Sequence, residues 1–314
     1  MKRYIFKRLL LLIPIVLGIT FLSFAMMRIA GSDAILQQVD ATGIALSQEV
    51  IDARREELGL NQPFLIQYVR WLRGFLTGDL GVSYISGNDV FSTFVSKLPA
   101  TLFLTGSSML LTVIISLPLG ILAAIRQNKF TDYLIRTSSF IGSSLPNFFV
   151  ALLLMYFLSI RLPVFPVISE GINIKSIVLP TLTLGIAMSA RYLRQIRAAV
   201  LEELGKEYVA GEKARGIEFS ATLWKSVLRS CLVTILTLMA LSIGSLLGGT
   251  AIVESIFMWD GVGKLAVDAI NMRDYPVIQA YVVWMAMIYV IVNLATDVIY
   301  RLIDPRIRLE GERR

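Results

Sequence analysis

The sequence predicts an all-α, polytopic membrane protein with six transmembrane helices and an extracytoplasmic helical insert after the first of them. Hydrophobic residues make up 55% of the 314-residue chain and charged residues only 17%, whereas soluble domains carry about 25% charged residues. The apolar residues are concentrated in blocks of about 20 residues, which is the length that crosses a bilayer. We therefore expect a single integral membrane domain over residues 1–314.

Six apolar segments define the expected spans, and each should be helical because backbone groups in lipid must be hydrogen-bonded internally. The fourth is free of charge only to Ala190. We expect it to continue through Arg191, Arg194 and Arg197, whose long stems would reach the headgroups. The spans run from about Leu9 to Met27, between Lys97 and Arg126, between Arg136 and Arg161, from Ser176 onward, between Arg229 and Glu254, and between Asp274 and Asp297.

The distribution of Lys and Arg predicts the orientation in the bilayer. Most basic residues fall in the N-terminus, the connection between the second and third spans, the polar segment after the fourth span, and the C-terminus. Because cytoplasmic connections carry the excess of Lys and Arg, both termini and the polar segment should be cytoplasmic. The net charge of +7 is explained by this orientation, so it does not indicate nucleic acid as a partner.

The segment 31–97 should lie outside the cytoplasm as an insert. Ser47 can cap a helix that ends at Gly59, and a second helix should start at Pro63. Two interpretations of the second helix remain open: packing on the bundle or at the membrane interface, and a landing surface for an extracytoplasmic partner. Its aromatic and apolar residues share one face: Phe64, Tyr68, Trp71, Leu72 and Phe75.

The segment 198–225 is polar, mixed in charge and helix-prone, and it lies between two spans, which is typical of a docking site for a soluble partner. The pattern predicts a helix between Glu203 and Arg215 that is stopped by Gly216. In that helix Tyr208 and Val209 would be apolar anchors for the partner, with charges around them.

Several classes of function are excluded or disfavoured by what the sequence lacks. The chain has no histidine, which rules out a Ser–His–Asp triad and removes the commonest metal ligand. We therefore expect no catalytic residues, no metal site and no cofactor in this chain. Gly261, Gly263 and Lys264 lack the spacing of a phosphate-binding loop, so ATP should not bind here. The single cysteine, Cys231, is expected to be buried.

The polar segment contains the run Glu207-Tyr208-Val209-Ala210-Gly211-Glu212-Lys213-Ala214-Arg215-Gly216. This run resembles the coupling-loop signature of importer-type ABC permeases, with Glu212 in place of the usual alanine. Similar blocks occur in family order along almost the whole chain: 58–63, 78–84, 179–180, 254–263, 273–279 and 304–308. The chain is identified as similar to the first, B-type permease subunit of the dipeptide/oligopeptide/nickel importer family.

The resemblance implies a type I ABC importer permease-like fold in the inner membrane of a prokaryote. It implies a second homologous permease, two ATP-binding subunits that hold ATP and magnesium, and an extracytoplasmic substrate-binding protein. The cargo would be nickel, free or as a chelate, or short peptides. The ATPase-coupling residues implied are Glu207, Tyr208, Val209, Ala210, Gly211, Glu212, Ala214, Arg215 and Gly216.

A stand-alone secondary carrier is the alternative function. Such a carrier would need coupling acids inside its spans and internal repeats. Asp297 is the only acid inside an expected span, near its cytoplasmic end, and no internal repeat is found. The sequence therefore favours the importer subunit.

Overall fold

Helices form nearly every element of the computed structural model, which describes residues 2–29, 47–57 and 61–303. Two π-helical segments, Met155–Arg161 and Thr222–Val227, interrupt the α-helices. The described residues pair as strands only at an isolated bridge between Val82 and Asp89. The helices are α1 (Lys2–Ile29), α2 (Gln48–Glu57), α3 (Phe64–Thr77), α4 (Val90–Ile125), α5 (Phe130–Ser144), α6 (Asn147–Leu154), α7 (Ile174–Leu204), α8 (Glu207–Ala214), α9 (Phe219–Ala221), α10 (Leu228–Gly249), α11 (Ala251–Ile256), α12 (Val262–Met272) and α13 (Tyr275–Ile303).

Three helices are each long and apolar enough to cross a membrane within the described residues: α4, α7 and α13. Two bent pairs raise the number to five if each pair is one span. In α1, the apolar part is the shorter stretch Ile13–Ile29. The second, fourth and sixth expected spans are thus confirmed as helices, whereas the total of six spans stays a prediction.

The expected third span is not a single straight helix. The helix turns by 100° between Ser144 and Asn147. Leu145 is extended, with φ −82° and ψ 130°, because the ring of Pro146 disfavours the helical conformation of the residue before it. Apolar composition alone therefore predicted one continuous helix, whereas the structure has two helices joined at a bend.

The chain divides into two compact units, and each is described by itself. The first unit combines Met1–Thr101 with Asp260–Ile291, and the second combines Leu102–Trp259 with the residues from Val292 onward. The expectation of a single integral membrane domain over residues 1–314 stays a prediction.

In the first unit, α3 packs against α1 through aromatic rings. Phe24 meets the rings of Phe64 and Tyr68 at centroid distances of 5.3 and 5.7 Å. The Tyr68 hydroxyl lies 2.9 Å from Thr20 Oγ1 in a buried hydrogen bond. The expected start of this helix next to Pro63 is confirmed. Its contacts support the packed interpretation of the helix, while a landing surface on its other face stays a prediction.

The shorter helix α2 begins directly after Ser47, as expected. The Ser47 carbonyl accepts hydrogen bonds from the backbone N–H groups of Val50 and Ile51, at 3.0 and 3.1 Å. The expected end of this helix at Gly59 lies outside the described residues.

In the second unit, α7 is the central helix and packs against α5, α6 and α10. Its first turn is capped by the Asn173 side chain, which accepts a hydrogen bond from the Ser176 backbone N–H at 2.8 Å. Such a cap satisfies one of the free N–H groups at the start of a helix. The helix then runs without interruption to Leu204, so the expected continuation of the fourth span is confirmed.

The sequence predicted that all three arginines of α7 reach the headgroups. In the structure, two of them instead bind side chains of α5. Arg197 makes a two-pronged ion pair with the fully buried Asp132 of α5, with Nε–Oδ1 at 2.7 Å and Nη2–Oδ2 at 2.8 Å. Arg194 donates to Ser143 Oγ of the same helix at 2.7 Å. Arg191 is exposed. Two of the arginines therefore fasten α7 to α5.

Candidate functional site

The junction between α7 and α8 is a two-residue corner. The Gly205 N–H donates to the Leu201 and Glu202 carbonyls at the end of α7, and Lys206 is extended. The expected helix start at Glu203 is therefore wrong, because Glu203 belongs to α7 and α8 begins at Glu207. The Glu203 carboxylate makes an ion pair with Lys206 and so stabilises the corner.

The end of α8 is formed by Gly216, as the sequence predicts. Gly216 has a φ of +75°, a conformation that glycine adopts without the steric cost that a Cβ would add. Its N–H donates to the Lys213 carbonyl at 3.0 Å, and the Ile217 N–H donates to the Glu212 carbonyl at 3.1 Å. These two bonds make a Schellman motif, which satisfies carbonyls that the helix leaves free.

The inner face of α8 packs on the second unit itself. Val209 contacts a buried apolar group that we call the basal cluster. The partly buried Val209 side chain thus packs on its own chain, and the expectation that it is an apolar anchor for a partner stays a prediction. The basal cluster consists of Ile121, Ala124, Tyr192, Ile196, Val200, Leu223, Val227, Leu228, Cys231 and Ile235.

Two side-chain hydrogen bonds hold α8 against its neighbours. The half-buried Tyr208 donates its hydroxyl to Glu203 Oε2 of α7 at 3.0 Å. Burial raises the pKa of Tyr208 to about 12, and the bond to Glu203 acts in the same direction. On the other side, Ser226 Oγ of the π-helical segment Thr222–Val227 donates to Glu212 Oε1 at 2.7 Å. Sequence reasoning missed Glu203 and Ser226 as partners.

The outer face of α8 is left with small side chains. Ala210, Gly211 and Ala214 are all exposed and occupy positions that follow one another on one side of the helix. We call these three residues the small-residue face. A Cβ added at Gly211 would meet nothing within 4 Å, so the space above the face is open. Glu207 and Arg215 are exposed at the two ends of the helix.

The nine residues expected to couple to a partner therefore separate into two sets. Val209 and Glu212 face inward, and Tyr208 is half-buried and bonded to α7. The remaining residues are exposed: Glu207, Ala210, Gly211, Ala214, Arg215 and Gly216. Phe219 and Trp224, which follow α8 and are 50% and 67% exposed, were not singled out from the sequence.

The part of the chain that the structure describes holds no group of three or more His, Cys, Asp or Glu side chains placed to bind a metal ion. The expected absence of a metal site and of a cofactor in the whole chain stays a prediction.

Two family models together match most of the chain. Residues 116–309 match the family described as the binding-protein-dependent transport system inner membrane component. Residues 1–105 match the N-terminal region of the membrane component of the same transport systems. The second match covers the described helices α2 and α3, and the first covers α8.

Curated relatives are similar over nearly their full length. The oligopeptide transport system permease protein AppB of Bacillus subtilis is 38% identical, over 98% of this chain and 99% of the relative. The metal-staphylopine import system permease protein CntB of Staphylococcus aureus is 34% identical over the whole of both chains. The glutathione transport system permease protein GsiC of Escherichia coli K12 is 35% identical, over 98% and 99%.

The fold is similar to a solved structure as well. The MetNI methionine ABC transporter in an inward-facing crystal form matches with a TM-score of 0.56 over 67% of this chain and 96% of that one. The identity is 19%, so this likeness concerns the fold alone. Together these matches confirm the helical permease-like fold and the family resemblance that the sequence motifs indicated.

Proposed function

The chain belongs to the family of inner membrane components of binding-protein-dependent transport systems and is a permease subunit of an ABC importer; from this premise we propose that separate ATPase subunits drive it through α8. In this proposal residues 198–225 and both termini are cytoplasmic. The ATPases hold ATP and magnesium, and this chain contributes no residue to hydrolysis. A second, homologous permease completes the pathway.

The observation that carries the proposal is the contrast between the two faces of α8. The inner face is fixed by Val209 on the basal cluster and by hydrogen bonds from Tyr208 and to Glu212. The outer face presents only the small-residue face, with charged side chains at its edges. A firmly seated helix with a small, uncharged centre and a charged rim fits a cleft on a protein partner, because interface centres are depleted in charge.

Movement of α8 has a direct route into the membrane helices. α7 runs unbroken from Ile174 to Leu204 and is joined to α8 by only Gly205 and Lys206. Arg197 and Arg194 fasten α7 to α5. We expect α7 and α5 to move together when α8 is displaced, since packed helices shift as rigid bodies rather than deform.

The cargo proposed is a short peptide or nickel held in a chelate, delivered by an extracytoplasmic binding protein. The names of the relatives cover oligopeptides, glutathione and metal-staphylopine. Because the chain has no histidine and one cysteine, it offers few of the ligands that borderline metals favour. A chelate that already satisfies the metal suits such a pathway better than the bare ion.

The proposal is tested by filling the small-residue face. Ala210→Trp and Ala214→Trp should each prevent the ATPase subunits from co-purifying with the permease and should abolish ATP-driven uptake in proteoliposomes, because an indole cannot enter a cleft shaped for a methyl group. Gln127→Trp, at an exposed turn residue between α4 and α5, is the matched control and should have no effect.

Normal ATPase binding by both α8 variants would overturn the docking role. Uptake driven by an ion gradient in vesicles that contain this chain alone would instead identify a secondary carrier.

A further inference from the structure

The two ends of α8 are connected to the membrane helices in different ways. On its N-terminal side, α8 follows α7 after a corner of two residues. On its C-terminal side, residues 215–218 lie outside any helix before α9 begins. This linker has four residues, twice as many as the Gly205–Lys206 corner, so it leaves more backbone torsions free to absorb a displacement. Through the backbone alone, a displacement of α8 would therefore act mainly on α7.

A side-chain contact bridges this weaker side. Ser226 Oγ donates to Glu212 Oε1 at 2.7 Å, across fourteen residues of sequence. The distance is typical of a charge-assisted bond from a hydroxyl to a carboxylate. Glu212 Oε2 is also buried, without a hydrogen bond of standard geometry. The Thr222 and Ser226 hydroxyls hold the pKa of Glu212 below its usual value, so the carboxylate is charged at neutral pH.

Ser226, the residue that bonds to Glu212, belongs to a well-packed π-helical turn. In the π-helical segment Thr222–Val227, Thr222, Leu223 and Val227 are buried, and the last two belong to the basal cluster. The segment continues directly into α10. Single π-helical turns of this kind occur often at functional sites. Ser226 is therefore rigidly attached to α10. The backbone connection from α8 through residues 215–218 is less rigid.

We propose that Glu212 is a positioning residue that latches α8 to the base of α10 through Ser226, so that the ATPases move α7 and α10 together. This inference rests on the proposed docking of ATPases at α8 and adds a second output helix to it. The bond from Tyr208 to Glu203 links α8 to α7, and the bond from Ser226 to Glu212 links α8 to the base of α10. A displacement of α8 would therefore move both helices. Without the latch, ATP hydrolysis would displace α7 while α10 lags behind.

The functional test measures cargo transported per ATP hydrolysed by the complete transporter in proteoliposomes. Breaking a charge-assisted hydrogen bond shifts a local equilibrium by about tenfold, so Glu212→Ala and Ser226→Ala should each lower this ratio about fivefold to tenfold. The double variant should be no worse than Glu212→Ala alone, because that substitution already removes the contact with Ser226. Glu212→Gln should rescue the ratio, since its amide oxygen can still accept from Ser226.

A second measurement reports the latch without the ATPases. Hydrogen exchange of residues 207–214 in the purified full-length chain should be about tenfold faster in Glu212→Ala than in the unmodified protein, and close to unmodified in Glu212→Gln. Faster exchange with an unchanged cargo-to-ATP ratio would overturn the proposal, because the latch would exist without transmitting movement.

Additive losses in the double variant would also overturn the proposal. If the exchange result holds but ATPases do not bind α8 in the unmodified protein, the docking role fails instead, and this outcome is distinguished by the co-purification assay.

Discussion

The two short helices α3 and α8 differ in what they leave exposed. In α3, Tyr68 packs against α1. On the other side of the helix, Leu65, Ile66 and Val69 are at least half exposed. α8 packs one partly buried aliphatic side chain, Val209, on the basal cluster and exposes the small-residue face.

This difference separates a helix suited to lipid from a helix suited to a protein partner. Large apolar side chains on both sides of a helix are stable where one side meets protein and the other meets the membrane interface. Small and charged residues on the outer side gain nothing from lipid, but they allow a partner to approach the backbone closely. The predictions below perturb one helix and use the other as the reference.

The largest effect is expected at the support of α8. Asp132→Ala should destabilise the protein by up to about 3–5 kcal/mol, because it leaves the mostly buried Arg197 guanidinium without its counter-charge. Thermal unfolding of the purified chain measures this loss. The double variant Asp132→Leu with Arg197→Met should recover most of it. Hydrogen exchange in α3 should stay unchanged. Loss of protection in α3 equal to that in α8 would contradict the separate support of the two helices.

The end of α8 is the next most sensitive point. Gly216→Pro should cost about 3 kcal/mol or more locally, since proline cannot adopt the positive φ and removes the N–H that bonds to Lys213. Binding of the ATPases, measured by co-purification, should be lost while membrane insertion is retained. Gly205→Ala is the control, because an added Cβ there meets only ordinary contacts at 3.5 Å. Unimpaired ATPase binding by Gly216→Pro would show that the helix end is irrelevant to docking.

A smaller effect is expected in α3. Tyr68→Phe removes the buried hydrogen bond with Thr20 Oγ1 and should loosen α3 by about 1 kcal/mol. Hydrogen exchange of α3 measures the change, and α8 should be unaffected. Tyr133→Phe, at a residue that is 55% exposed, should change stability by less than about 0.5 kcal/mol. Equal effects of the two substitutions would remove the reason to treat α3 as anchored through Tyr68.

The smallest effect is expected from pH. The pKa of Tyr208 is raised to about 12, so the stability from its bond to Glu203 is present below its unfolded pKa near 10 and is lost only as pH rises through the folded value. The pKa of Glu212 is lowered, so its contribution is present above its unfolded pKa near 4.3 and is lost as pH falls through the lower folded value.

Both contacts of α8 should therefore be constant between pH 6 and 9. Hydrogen exchange of α8, corrected for the intrinsic dependence of exchange on pH, should show no transition in that range. A transition near neutral pH would mean that another titrating group holds the helix.

The sequence predicted those features that depend on local chemistry. Gly216 ends α8 because glycine adopts positive φ, and α3 begins next to Pro63 because proline fits a helix start. The corner at Gly205 was missed, because the charged residues on either side of it are good helix formers. The bend at Leu145 was missed because apolar content counts residues and does not weigh the conformation before Pro146.

Contacts between residues far apart in the chain could not be predicted from the sequence alone. Arg197 was expected at the headgroups, but its partner Asp132 lies 65 residues earlier. In the same way, α8 has only two turns, so its own pattern of side chains cannot define which face turns inward. Packing on the basal cluster and the bond from Ser226 decide that face.

The most direct test of the central claim is photo-crosslinking from the outer face of α8 in the assembled transporter. A photo-reactive amino acid at Arg215, which is exposed at the end of α8 beside the small-residue face, should attach to an ATPase subunit during turnover, because a large side chain there leaves that face unobstructed. The same amino acid at Leu65, on the exposed face of α3, should not attach to one. An ATPase product from position 65, or none from position 215 in an actively transporting preparation, would contradict the account.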